Sequence, residues 1–132
     1  MNDSTPFSVE IKDHVAWLTL CRPERRNAMG MAFFRELTDH FRRFDKDDAV
    51  RAVVIRAEGP TFTAGLDLME AGGLLAGKGA DDREKLKETI LDLQESNNAI
   101  ERCRTIKKVA AGKQLFVNYG KEWWTSRDLK PE

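Results

Sequence analysis

The chain has 132 residues, with 22 Lys and Arg against 22 Asp and Glu, and is 41% hydrophobic and 33% charged. Zero formal charge argues against a strongly basic nucleic-acid binder or an acidic tail protein, and the length and composition suit one globular domain. No apolar run approaches the roughly 20 residues of a membrane-spanning helix. The opening MNDSTPFSVE lacks the charged and apolar regions of a secretory signal. Cys21 and Cys103 form neither a disulfide framework nor a metal-ligand spacing, so the expected setting is intracellular and reducing. A cytoplasmic location is the first expectation, with mitochondrial and peroxisomal ones left open.

Phe7, Val9 and Ile11 alternate with polar residues, Lys12-Asp13-His14 supplies a turn, and Val15 to Leu20 is rich in strand formers. The pattern predicts a β-hairpin over 7–20. A polar loop, Cys21 to Asn27, follows. Phe33, Leu37, Phe41 and Phe44, with Phe34 beside them, predict a helix over about 30–45 that ends in the polar Asp45–Asp48. The Ala-Val-Val-Ile run between Arg51 and Arg56 predicts a strand buried on both faces. Glu58-Gly59-Pro60 breaks it, and Thr61 to Leu68 reads as a loop centred on Gly65. Ala71 to Ala80 holds four glycines and reads as a mobile loop. Leu86, Ile90, Leu93, Asn97 and Ile100 predict a second long helix over about 82–103. This order of elements is α/β or α+β, not a bundle.

The sharpest local feature is Phe62-Thr63-Ala64-Gly65-Leu66-Asp67-Leu68. Small residues at 63–65 let a ligand approach the backbone. A peptide N–H exposed there can stabilise charge developing on a carbonyl oxygen. Asp67 suits the cap of a helical turn starting at Leu68. A tight loop with Asp67 as a purely structural cap accounts for the same residues.

Residues 7–104 resemble the N-terminal half of the enoyl-CoA hydratase/isomerase (crotonase) family. The resemblance is carried by Val15-Ala16-Trp17-Leu18-Thr19-Leu20, Arg22-Pro23-Glu24-Arg25-Arg26-Asn27-Ala28-Met29, Arg35-Glu36-Leu37, Asp47 to Ile55, Phe62 to Leu68, and Ala99 to Arg104. The Gly-Leu-Asp-Leu form is most similar to the dienoyl-CoA isomerase branch. The resemblance implies an α/β fold: a truncated crotonase-like ββαβ layer with a long second helix and a short extra C-terminal strand. It implies that the Leu66 backbone amide is one arm of an oxyanion hole for an acyl-CoA thioester. Asn27, Ala28, Met29, Ala64, Gly65 and Asp67 would form the substrate-binding path, with Arg25 or Arg26 near coenzyme A phosphates or simply solvated. The implied partner is an acyl-CoA thioester, with coenzyme A part of the substrate and no other cofactor, metal, nucleic acid or membrane span. A homo-oligomer or a partner subunit is compatible with an open sheet edge.

After Arg104 the family's glycine-rich second oxyanion arm and its catalytic carboxylates have no match. Glu70, Glu88 and Glu95 are candidate bases by residue type alone. His14, in the hairpin turn, and His40, expected to face out of its helix, read as surface histidines. Residues 101–132 carry a net charge of +4 and residues 1–100 a net −4. The expected division is 1–104, a crotonase-like N-terminal half, and 105–132, a tail of different character. Within the tail, Ile106 to Trp124 resembles the last strand of a SET-domain lysine methyltransferase, with a strand at Leu115–Tyr119 and Tyr119 matching that family's channel tyrosine. The expected function is acyl-CoA binding, with hydration or double-bond isomerisation of an unsaturated acyl-CoA as the family chemistry, catalytically incomplete in this chain. The alternatives are a non-catalytic or truncated module that pairs with another subunit, or a fragment related to SET methyltransferases.

Overall fold

A computed structural model describes residues 5–77 and 79–109. Among them the order is β1 (Phe7–Lys12), β2 (Val15–Leu20), α1 (Met31–Lys46), β3 (Ala52–Ala57), α2 (Leu68–Leu75), α3 (Ala80–Arg102) and β4 (Ile106–Val109). The architecture is α/β, with a four-stranded sheet in the order β1-β2-β3-β4. The expected hairpin forms, with Phe7 opposite Leu20 and Lys12 opposite Val15. β2 and β3 pair in parallel, Ala16 beside Val53 and Leu20 beside Ala57. β4 lies parallel on the far side of β3, with Val109 beside Ile55. The candidate strand Leu115–Tyr119 and Tyr119 lie outside the described residues.

The register puts Phe7, Val9, Ala16, Leu18, Leu20, Val53 and Ile55 on one face of the sheet. There they meet Phe33, Leu37, Phe41 and Phe44, the apolar stripe of α1. That stripe recurs every three or four residues, so it follows one face of a 3.6-residue helix. The other face of the sheet is more open. Arg56 lies over the Trp17 ring, 5.1 Å from its centroid, and its Nε donates to Thr19 Oγ1 at 2.8 Å. β3 is therefore not buried on both faces as expected: Val53 is fully buried, Val54 and Ile55 are half-buried and Arg56 is exposed.

One further expectation changes. The glycine-rich stretch begins in a helix rather than a mobile loop, because Asp67 caps α2 by accepting from the N–H groups of Met69 and Glu70. The cap and the burial of Ala71 offset the helix-weakening effect of Gly72 and Gly73. In α3 the tightly packed residues are Ser96 and Ala99, whereas Ile90 is 45% exposed. Small side chains let the C-terminal half of α3 come close to α1. Arg42 of α1 meets Glu95 there at 3.2 Å, and Arg102 reaches the same carboxylate at 3.5 Å.

His40 does not face out of α1. It is half-buried, edge-on to Phe7 at 5.7 Å and stacked on Phe44 at 6.0 Å. Burial, reinforced by the charge of Arg43 and opposed by Asp39, lowers its pKa below the ordinary 6.5. As the pH falls below about 6.5 the unfolded chain then takes up the proton first, so the folded form loses stability. His40→Phe should remove this component. In urea titrations at pH 7 and pH 5, the parent should lose more stability between the two than the variant does.

Candidate functional site

Because β2 and β3 are parallel, both end at the same edge of the sheet, with Leu20 beside Ala57. The segments that follow them, residues 21–30 and 58–67, therefore start side by side. In α/β sheets this carboxyl edge is where ligand sites form.

The first segment turns through a 3-10 turn, Pro23–Arg25, and then through Arg26 and Asn27, both with left-handed backbone (φ 51° and 50°). Asn27 suits this conformation better than most residues. Its side chain is buried and fully used: Oδ1 accepts from the Arg22 N–H at 2.9 Å, and Nδ2 donates to the carbonyls of Glu58 and Thr61, both at 2.9 Å. Asn27, expected on the substrate path, thus ties the two segments together through its side chain.

The second segment is held to the first at four further points. Ala64 N–H donates to Arg26 O at 2.9 Å. The Thr63 hydroxyl donates to Asn27 O at 2.7 Å and accepts from Gly65 N–H at 3.1 Å. Met29 N–H donates to Gly65 O at 2.8 Å, and Asp67 N–H to Met29 O at 2.9 Å. The last two bonds make Met29 and Leu66 a parallel bridge. In such a bridge the N–H and C=O of the bracketed residue, Leu66, face away from the partner segment.

The orientation of the Leu66 amide follows from this. Gly65 O and Leu66 N–H belong to one planar trans peptide and point in opposite directions. Anchoring Gly65 O on Met29 N–H therefore aims Leu66 N–H outward. No acceptor among the described residues meets it, and Leu66 is 41% exposed. Gly65 has φ +88°, which strongly favours glycine, and a Cβ placed there would meet nothing within 4 Å. Open space thus lies beside the outward amide.

Asp67 is 4% exposed. Its Oδ1 caps α2 through Met69 N–H at 3.0 Å and Glu70 N–H at 3.4 Å, and its Oδ2 lies 2.8 Å from Arg25 Nη2. The contact with Arg25 is an ion pair whose N–H is not aligned as a hydrogen bond. Arg25 is therefore paired within the protein although it is exposed, as Arg26 is too. Ala28 and Met29 are half-buried beside the bridge. An apolar cavity of about 290 Å3 adjoins the same loops, lined by Leu20, Met29, Phe33, Ile55, Phe62 and Thr63 among others.

The carboxylates weighed as bases take other positions. Glu70 Oε2 accepts the Met31 N–H at 2.8 Å, capping α1, whose own N-cap residue is Gly30. Glu70 crowds Gly30 so closely that a Cβ there would fall against its carboxylate. Glu95 lies in the α1–α3 groove, and hydrogen bonds from Asn98 and Arg42 hold its pKa below the ordinary 4.5. Glu88 is exposed on α3. His14 Nδ1 is 2.9 Å from Ala49 O. The sequence reading did not anticipate the hydroxyl relay of Thr63, the cap from Glu70, or Arg25 as the partner of Asp67. Each is a contact across 36 to 42 residues with no local pattern to mark it.

The enoyl-CoA hydratase/isomerase family model matches residues 10–111. The human mitochondrial Delta(3,5)-Delta(2,4)-dienoyl-CoA isomerase is 44% identical over 94 residues, which cover 68% of this chain and 29% of that protein. A hydroxycinnamoyl-CoA hydratase-lyase of Pseudomonas fluorescens is 42% identical over 62 residues, covering 47% of this chain and 22% of that one. Among solved structures, an enoyl-CoA hydratase/isomerase from Mycobacterium paratuberculosis superposes with a TM-score of 0.69 at 30% identity, over 83% of this chain and 42% of that one. The chain belongs to the enoyl-CoA hydratase/isomerase family. It spans under a third of the length of the dienoyl-CoA isomerases it matches.

Replacing Asn27 tests the tie between the loops. Asn27→Ala strands one amide N–H and two carbonyls and should cost about 2–3 kcal/mol. Asn27→Asp should cost at least as much despite its matching shape, because it sets a carboxylate oxygen against the carbonyls of Glu58 and Thr61. Urea denaturation of the two variants reads both.

Proposed function

We propose that this layer binds the thioester end of an acyl-coenzyme A, with the Leu66 N–H donating to the thioester carbonyl oxygen. The family chemistry it serves is hydration or double-bond isomerisation of an unsaturated acyl-CoA. The observation that carries the reading is the outward Leu66 amide, oriented by Met29 and left without an acceptor among the described residues. A backbone donor fixed before the ligand arrives needs no reorganisation as charge builds on the oxygen, so it favours an enolate over the neutral carbonyl. The bond from Met29 N–H to Gly65 O polarises the same peptide and makes Leu66 N–H a stronger donor. The apolar cavity beside Thr63 suits the hydrocarbon part of the ligand. Ala64 and Gly65 leave room for the backbone approach of the thioester and the pantetheine.

Proton transfer is a separate requirement. A general base must lie within about 3 Å of its proton, or one water away. Glu70 caps α1, Glu95 is held among arginines in the α1–α3 groove, and Glu88 is exposed on α3. We therefore expect this chain by itself to bind without turning over.

Titration calorimetry with octanoyl-CoA and with S-octyl-CoA, a thioether without the carbonyl, tests the binding role. The thioester should bind about fivefold more tightly, the worth of one hydrogen bond. Equal affinities would remove Leu66 as the carbonyl donor. Hydratase and isomerase assays on enoyl- and dienoyl-CoA substrates should show no turnover above a heat-denatured control. Clear turnover would mean that an acid or base group is present that the described carboxylates do not reveal.

A further inference from the structure

We propose that the Arg25–Asp67 ion pair is a positioning device for the Leu66 amide, setting how strongly the loop distinguishes a thioester carbonyl from a ligand without one. The inference rests on the reading of Leu66 as the carbonyl donor and adds to it the residues that hold that donor in place.

Asp67 follows Leu66 directly and is anchored on three sides. Its N–H is held by Met29 O, its Oδ1 by the first turn of α2, and its Oδ2 by Arg25 at 2.8 Å. Arg25 belongs to the turn whose next two carbonyls, those of Arg26 and Asn27, receive Ala64 N–H and the Thr63 hydroxyl. The ion pair therefore joins the residue after Leu66 to the same turn that holds the residues before it. Leu66 is clamped from both ends against one rigid piece of backbone.

Electrostatics makes the clamp a demanding one. Asp67 is 4% exposed, and its only described cation is Arg25, which is 43% exposed. A carboxylate so little hydrated depends on its partner, and removing the cation leaves it to seek water or another donor. The route open to it is displacement of Asp67, which moves Leu66 and, through its Cα, the Gly65–Leu66 peptide that carries the donor N–H. A hydrogen bond weakens steeply once its angle or length departs from the favoured range. A small rotation of that peptide is thus enough to lose discrimination for a carbonyl while the surrounding fold persists.

The test uses the ratio of affinities for octanoyl-CoA and S-octyl-CoA, measured calorimetrically on the full chain. The ratio cancels partial unfolding and any contact with the coenzyme A phosphates, because both ligands lose those equally. A merely structural role would therefore leave it unchanged. In the parent the ratio should be about five. Arg25→Met should bring it to within about twofold of one. Arg25→Lys, which keeps the cation, should retain most of it. Asp67→Asn keeps the capping oxygen but not the charge; it should also lower the ratio, and it serves the comparison where Arg25→Met fails to fold. A parent ratio of one overturns the reading of Leu66 and this inference with it. A parent ratio near five that persists in Arg25→Met or Asp67→Asn overturns the ion-pair role alone and leaves the reading of Leu66 standing.

Discussion

The hydrogen bond from Met29 N–H to Gly65 O organises the site. It is an ordinary backbone bond, yet a planar peptide converts it into a direction for the amide on the opposite side. Three features around the loop make that bond possible. The parallel pairing of β2 and β3 brings the two segments to one edge, Asn27 closes the distance between them, and the left-handed Gly65 turns the chain so that its carbonyl meets Met29. The core beneath, where the phenylalanines of α1 pack on the sheet, fixes the edge from which both segments start.

Much of the fold was legible in the sequence because local patterns dominate it. The hairpin alternates, α1 repeats its phenylalanines at helical spacing, and β3 is an apolar run between arginines. The failures have physical causes of their own. Glycine content argued for a loop at 71–80, but one buried carboxylate at position 67 satisfies two amides and starts a helix there. The repeat of α3 announced the helix, while its closest packing comes from Ser96 and Ala99, whose small side chains no apolar pattern singles out. His40 looked like a surface residue because periodicity cannot show that β1 delivers Phe7 to its side.

The site divides in the same way. Leu66, the donor proposed here, is marked in the sequence by its glycine neighbour and by the ordered family resemblance. The groups that hold it, Thr63 on Asn27, Arg25 on Asp67 and Glu70 on Met31, are pairs made by the tertiary fold. A residue such as Glu70 offers a carboxylate that chemistry could use, and only its place in space shows that it is occupied with a helix terminus instead.

That placement binds two distant positions into one unit of variation. Gly30 has an ordinary φ of −91°, so its backbone does not demand glycine. The demand comes from the carboxylate of Glu70, which fills the volume a side chain at position 30 would enter. A larger residue at 30 would push that carboxylate away and uncap α1, and a shorter residue at 70 would leave α1 uncapped with a void beside it. Substitutions at the two positions should therefore be tolerated together more readily than singly: a small side chain able to cap α1 from position 30 would release position 70 from that duty.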